Sequence, residues 1–204
     1  MSRRFSRLLT LAAILAAVTL LAGACGGSSS HASAQPGSGS TSSASSSAVV
    51  WPRPTNTAAA IKAAGLPALP AEALFEHYHA HLDVIIDGQS VTVPAAIGID
   101  IQNQRISPLH THDASGVIHI ESPTARTYTL GQFFTEWAVR LTAQCIGSFC
   151  AGPSRQNIAT VNGQTVSGDP SSIVFTPYAQ ITLWSGPPGP PPQLPSSYNF
   201  PRGL

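Results

Sequence analysis

The sequence predicts an α+β domain, a small, mostly antiparallel sheet covered by one main helix. Three observations predict it. Asp87-Gly88 and Asn162-Gly163 each separate short alternating apolar runs, a strong hairpin signature. Leu130, Phe133, Phe134, Trp137 and Ala138 recur at helical spacing. The 18 prolines, concentrated in loops and tail, argue against an all-helical bundle. The expected order is hairpin, strand, helix, hairpin, strand, which is β-grasp-like. A small β-sandwich or barrel is the alternative.

The chain opens on Arg3, Arg4 and Arg7, followed by an uncharged run from Leu8 to Ala24. As a helix that run spans roughly 25 Å, short for a membrane crossing. A basic head, a short apolar middle and a small-residue end describe a secretory signal over residues 1–24. Its end, Leu21-Ala22-Gly23-Ala24-Cys25, resembles the lipobox of bacterial lipoproteins, with Ala22 where the motif usually has leucine. That resemblance implies cleavage before Cys25 and lipid on that cysteine. The alternative is an ordinary cleaved signal with an incidental cysteine. Residues 25–55 form a tether, and Gly26 to Ser47 within it is mostly Ser, Gly and Ala. Such a stretch cannot bury enough surface to offset its ordering entropy and behaves as a flexible coil. His31 within it is incidental. The expected location is extracytoplasmic, anchored by lipid to the cell membrane.

Residues 56–204 are left for one domain of common size. Without the signal's arginines the chain keeps seven basic and nine acidic residues, a net charge of −2. No basic patch is present, so nucleic acid is not an expected partner. With Cys25 acylated, Cys145 and Cys150 remain as a pair, and outside the cytosol a local disulfide is the expected state. A redox pair or a metal clip are the alternatives; four intervening residues are not the usual redox spacing.

Along the domain, Ala58 to Ala64 suits a short helix ended by Gly65 and Pro67. His79 to Ile86 and Gln89 to Val93 suit the first hairpin. Ile97 to Ile106 has no clear period, and Pro108 to Ser115 suits a polar loop. Gly116 to Glu121 suits a strand. Thr129 is placed to cap a helix from Leu130 to Val139. Ile158 to Val161 and Gln164 to Val166 suit the second hairpin, with Ile173 to Thr176 and Gln180 to Trp184 as last strands. From Ser185 the chain is Pro-rich.

Six of the seven histidines fall between residues 77 and 119. Alternate side chains of a strand share a face. His77, His79, His81 and Asp83 therefore project one way, and Tyr78, Ala80, Leu82, Val84 and Ile86 the other. His110-Thr111-His112-Asp113 offers two more imidazoles, and His119 and Glu121 share a further strand face. Two rings two residues apart can lean onto one ion at about 2.0–2.1 Å; a complete site needs a second segment. Neutral imidazole is the commonest metal ligand, suited to copper and zinc. The expected ligands are His77, His79, His81, His110, His112 and His119, with Asp83, Asp113 and Glu121 orienting the rings. With Met1 the sole methionine, a thioether site for Cu(I) is disfavoured. A solvated or pH-responsive histidine face is the plainer reading of any single pair. A hydrolytic metalloenzyme with Asp113 or Glu121 as base, or an interaction module, are the functional alternatives.

His77-Tyr78-His79-Ala80-His81, the phrase Pro108 to His119, and Leu130-Gly131-Gln132-Phe133-Phe134 together resemble an uncharacterised family of exported bacterial and archaeal proteins. The resemblance runs on to Pro195-Ser196-Ser197-Tyr198 and brings no activity with it. It implies a histidine and an acid just before the last strand, where this chain has Tyr178-Ala179-Gln180.

Lipid attachment is directly testable. Cys25→Ser should move the protein from the membrane to the soluble fraction on cell fractionation. Continued tight membrane association of that variant would rule out anchoring at Cys25.

Overall fold

The computed structural model describes residues 48–204; the signal, Cys25 and most of the tether lie outside them. The described chain is a mixed α+β fold with two helices and a seven-stranded, mostly antiparallel sheet that does not close into a barrel. The sheet is thus larger than the sequence predicts.

In chain order the elements are α1 (Thr57–Ala63), β1 (Glu76–Ile86), β2 (Gln89–Val91), β3 (Ile99–Asp100), β4 (Arg105–Ile106), β5 (Leu109–His110), β6 (Val117–Ser122), α2 (Leu130–Glu136), β7 (Cys145–Ile146), β8 (Phe149–Cys150), β9 (Gln156–Val161), β10 (Gln164–Thr165) and β11 (Gln180–Gly186). The sheet runs β10-β9-β11-β1-β6-β5. β1 is its longest strand and serves three partners. β11 pairs parallel with His81 to Ile86. On the opposite edge, β6 pairs antiparallel with Glu76 to His81, and β2 with Val84 to Ile86.

One face of this sheet carries the core. Ala80, Leu82, Val84 and Ile86 of β1 lie beside Ile118 and Ile120 of β6 and Ile181 and Leu183 of β11, all essentially buried. α2 lays Leu130, Phe133 and Phe134 into the same core, Trp137 at its C-cap joins them, and α1 adds Ile61. Burying a side chain of this kind contributes about 1.5–3 kcal/mol, so this face is the main source of stability. A capping box starts α2. The Thr129 side chain accepts from the Gln132 amide, and the Gln132 side chain accepts from the Thr129 N–H at 3.0 Å. The apolar period predicts a helix through Val139, but it ends at Glu136 because Ala138 turns left-handed, with φ +59°. Trp137 then donates its indole N–H to the Trp51 carbonyl at 3.1 Å, tying the start of the described chain to the core.

Cys145 and Cys150 are joined by a disulfide that closes the β7-β8 hairpin. Gly147 in its turn has φ +60°, and a Cβ there would collide with the Trp51 indole.

Three segments differ from expectation. Pro108 to Ser115 is not simply a polar loop: Leu109 and His110 form β5 against β6 and are fully buried. Leu109 is the largest apolar side chain in that phrase, and its burial draws His110 into the sheet. Ile97 to Ile106 makes the small β3-β4 hairpin. Ile173 to Thr176 is no strand. A 3-10 turn, Pro170–Ser172, precedes it, and only Val174 bridges to Thr129; the Ile173 carbonyl accepts from the Leu130 N–H at 2.8 Å, the Phe175 N–H donates to the Tyr128 carbonyl at 3.0 Å, and both side chains are buried.

Glu136 ends α2 inside the protein. It is fully buried, and neither carboxylate oxygen meets hydrogen-bond geometry with a partner. Burial pushes its pKa up to about 8, with Ser107 offsetting only part of that. The folded state therefore holds a proton that the unfolded chain releases near pH 4.5, and stability falls as pH rises from about 4.5 to about 8. Glu136→Gln removes this loss. We expect the variant to gain up to about 4 kcal/mol over the native chain at pH 8, and far less at pH 4.5, by urea denaturation. Equal stability of the two proteins at pH 8 would count against a buried, protonated Glu136.

Candidate metal centre

The face of the sheet opposite the core carries the histidines. Directly opposed residues of an antiparallel pair share a face, so strand register decides which side chains meet. β1 and β6 place His79 opposite His119 and His77 opposite Glu121. β5 and β6 place His110 opposite that same His119. Three imidazoles thus form a row straight across three strands, with Glu121 one step along. His112, two residues beyond His110, brings its Nε2 to 3.2 Å from Nε2 of His110.

The donor atoms crowd together. His79 Nε2 lies 3.1 Å from His119 Nδ1, which is 3.3 Å from Glu121 Oε1. His77 Nε2 is 3.4 Å from the same oxygen, and His110 Nε2 is 3.9 Å from it. Four ligands at about 2.0–2.1 Å around a tetrahedral ion stand roughly 3.3–3.4 Å apart. Among His77, His79, His119 and Glu121, the His79–His119, His119–Glu121 and His77–Glu121 separations of 3.1, 3.3 and 3.4 Å lie close to that spacing. Two sets of four offer one donor atom per residue within 4.8 Å of one another: His77, His79, His119 and Glu121, and His110, His112, His119 and Glu121.

Burial is graded across the cluster. His79, His110, His119 and Glu121 are at most 9% exposed, whereas the side chains of His77 and His112 are 42% and 45% exposed. The inner donors are sequestered and the outer two face solvent. Glu72, just ahead of β1, stands 3.4 Å from His112 at this mouth. The sequence reading missed it, since an exposed acid outside any periodic run carries no local signal.

The charge states suit a cation. Burial, reinforced by His119 and His77, lowers the pKa of His79 to about 4. Burial likewise lowers His110 to about 4, against the pull of Glu121. Both are neutral at pH 7. The Nδ1 of His110 lies 2.9 Å from the Ser107 carbonyl. A carbonyl only accepts, so that nitrogen carries the proton and Nε2 turns its lone pair to the cluster. Burial tends to raise the Glu121 carboxyl, but the hydrogen bond from His119 and the electrostatic influence of the nearby His110 and His77 rings outweigh it and hold the pKa below normal. Its second oxygen, Oε2, is buried with no hydrogen-bond partner. An orphaned carboxylate oxygen costs stability unless something cationic meets it.

Three residues expected in the cluster, His81, Asp83 and Asp113, stand apart from it. His81 shares the strand face but lies opposite Val117. Its Nε2 is 2.9 Å from the Ser115 carbonyl and its Nδ1 is 2.9 Å from Gln180 Oε1, so both ring nitrogens are engaged. Tyr198 stacks on its ring at 3.6 Å. Gly116 beside it has φ +88°, and a Cβ there would come within 2.9 Å of His81 Nε2. Asp83 accepts from Gln180 at 2.9 Å and belongs to that second network. Asp113 accepts the Ser115 N–H at 2.9 Å, and hydrogen bonds from Ser115 hold its pKa below normal. It shapes the turn into β6. Glu121, expected to orient rings, instead stands among the donors.

Comparison with known protein families, with curated proteins and with solved structures finds no match. The functional reading therefore rests on the geometry.

The lowered histidines make the apoprotein acid-sensitive. Between pH 6.5 and about 4 the unfolded chain binds protons that folded His79 and His110 do not, so stability falls as pH drops through that window. In metal-free protein we expect His79→Gln/His110→Gln to recover roughly 5 °C or more of the melting temperature lost between pH 6.5 and 4.5. An unchanged fall would mean that these rings are charged in the folded state.

Proposed function

We propose that this protein is an exported, lipid-anchored binder of a transition-metal ion, copper or zinc, that captures the ion outside the cytosol and exchanges it. The observation that carries the reading is the set His77, His79, His119 and Glu121, four donors at near-ligand spacing on two paired strands. Mixed imidazole and carboxylate ligation suits Cu(II) and Zn(II). The disulfide between Cys145 and Cys150 leaves no thiolate among the described residues, which weighs against a thiolate site for Cu(I). Exposed His77 and His112 at the mouth support exchange: an ion can be taken up or lost through them without opening the sheet. Capture is favoured over hydrolysis because each candidate base already has an oxygen engaged. Asp113 is held by Ser115, and Glu121 is surrounded by ring nitrogens.

The anchor at Cys25 and the tether to residue 55 are part of the same proposal, and so is a β-grasp-like fold. The order β2-β1-β11-β9-β10, with a parallel central pair and α2 packed on the core, supports that likeness.

The test is equilibrium dialysis of the full chain, without a His tag, against Cu(II) and Zn(II). We expect binding at micromolar metal or tighter, weakened by at least roughly 100-fold in His79→Ala/His110→Ala, since even groups that only orient ligands are worth 10- to 100-fold. If the native chain binds neither ion above background at micromolar metal, the proposal fails.

A further inference from the structure

Five imidazoles and one carboxylate exceed what one ion of this kind takes, since zinc sites are almost always four-coordinate. The six donors also do not converge on a point. They divide into two sets, each within 4.8 Å, that have only His119 and Glu121 in common. His77 and His79 come from one side, along β1. His110 and His112 come from the other, along β5 and the chain just after it. The two shared residues sit on β6 between them.

We propose that the cluster holds two transition-metal ions at once, bridged by the Glu121 carboxylate. This rests on the metal-binding reading above and specifies its stoichiometry. The division of labour follows from lone pairs. Each ring nitrogen that faces the cluster has one lone pair and serves one ion. A carboxylate has two oxygens and about four acceptor positions, so it can serve two. Of the two common residues, Glu121 is therefore the bridge. Its Oε1 already faces both sets, at 3.4 Å from His77, 3.3 Å from His119 and 3.9 Å from His110. Oε2 is buried and unpartnered, which leaves coordinating capacity unused in the metal-free protein.

The first ion takes His77, His79, Nδ1 of His119 and Glu121. The second takes His110, His112 and Glu121. His110 is fixed for this by its Nδ1 proton on the Ser107 carbonyl. With three protein ligands the second ion keeps one position open, beside the exposed His112, for solvent or an incoming donor. Ions sharing a carboxylate in this way stand about 3.5–4 Å apart in known two-metal sites. The alternative use of the two sets is a single ion that moves between them, and stoichiometry separates the two.

The experiment is a titration of the full chain with Zn(II) and with Cu(II), read as equivalents bound and, for copper, by electron paramagnetic resonance. The expected result is two equivalents and a Cu(II) spectrum broadened by coupling between neighbouring ions. His112→Ala and His77→Ala change exposed rings and should leave the fold intact. Each is expected to bind one equivalent tightly, with the second weakened at least 10-fold, and to give the sharp spectrum of an isolated ion. Glu121→Gln should abolish the coupling. Saturation of the native chain at one equivalent would overturn the two-ion proposal while leaving the metal-binding reading standing. No binding at all would overturn both. Two equivalents that persist uncoupled, or that survive unchanged in both histidine variants, would place the second ion elsewhere and also overturn it.

Discussion

The antiparallel register between β1 and β6 is the constraint on which the rest depends. It sets Ala80 opposite Ile118 and His79 opposite His119 in successive rows. Because strand side chains alternate, one alignment assigns apolar residues to the core and imidazoles to the other face. A slip of β1 by one residue would turn His79 into the core and Ala80 out of it, while Ile118 and His119 kept their faces. The apolar rows resist such a slip, since each core side chain moved into water loses about 1.5–3 kcal/mol. The core thus enforces the geometry of the cluster, although no cluster residue belongs to it.

That enforcement has a cost. A row of buried rings around one carboxylate is a poor arrangement for a protein without a ligand: neighbouring imidazoles repel if charged, and Glu121 leaves an oxygen unpartnered. Folding tolerates it because desolvation keeps His79 and His110 neutral and because the apolar face supplies the stability. The buried acid at the end of α2 is a second tolerated imperfection, of opposite sign in pH. Local frustration of this kind, beside a core otherwise consistent in pattern and packing, is where function is expected to sit.

The remainder of the polar face is treated differently. The Pro-rich tail runs along it. Tyr198 stacks on His81, the Pro195 carbonyl accepts from Thr182 at 3.3 Å, and Leu204 accepts from Tyr178 at 3.3 Å. Gln180 ties His81 to Asp83. One strand face is thereby divided into a satisfied hydrogen-bonded half beneath the tail and an open, donor-rich half.

Much of this was legible in the residues alone. The glycine turns at 88 and 163, the apolar stripe of α2, the Thr129 cap and the Cys145–Cys150 pair all rest on local chemistry, and each lies where the sequence predicts it. So does the division of β1 into an apolar and a histidine face, because alternation needs only one strand. What the sequence could not determine is which histidines meet. His77, His79 and His81 are equivalent by spacing, yet His77 lies opposite Glu121 and His81 opposite Val117, under a tyrosine 117 residues further along the chain. Likewise, Pro108 to Ser115 is polar enough to pass for a loop until Leu109 finds its place against Ile120. Local pattern determined the faces. Only pairing between strands distant in sequence decided the partners, because register is set by the summed burial of residues that no single segment contains.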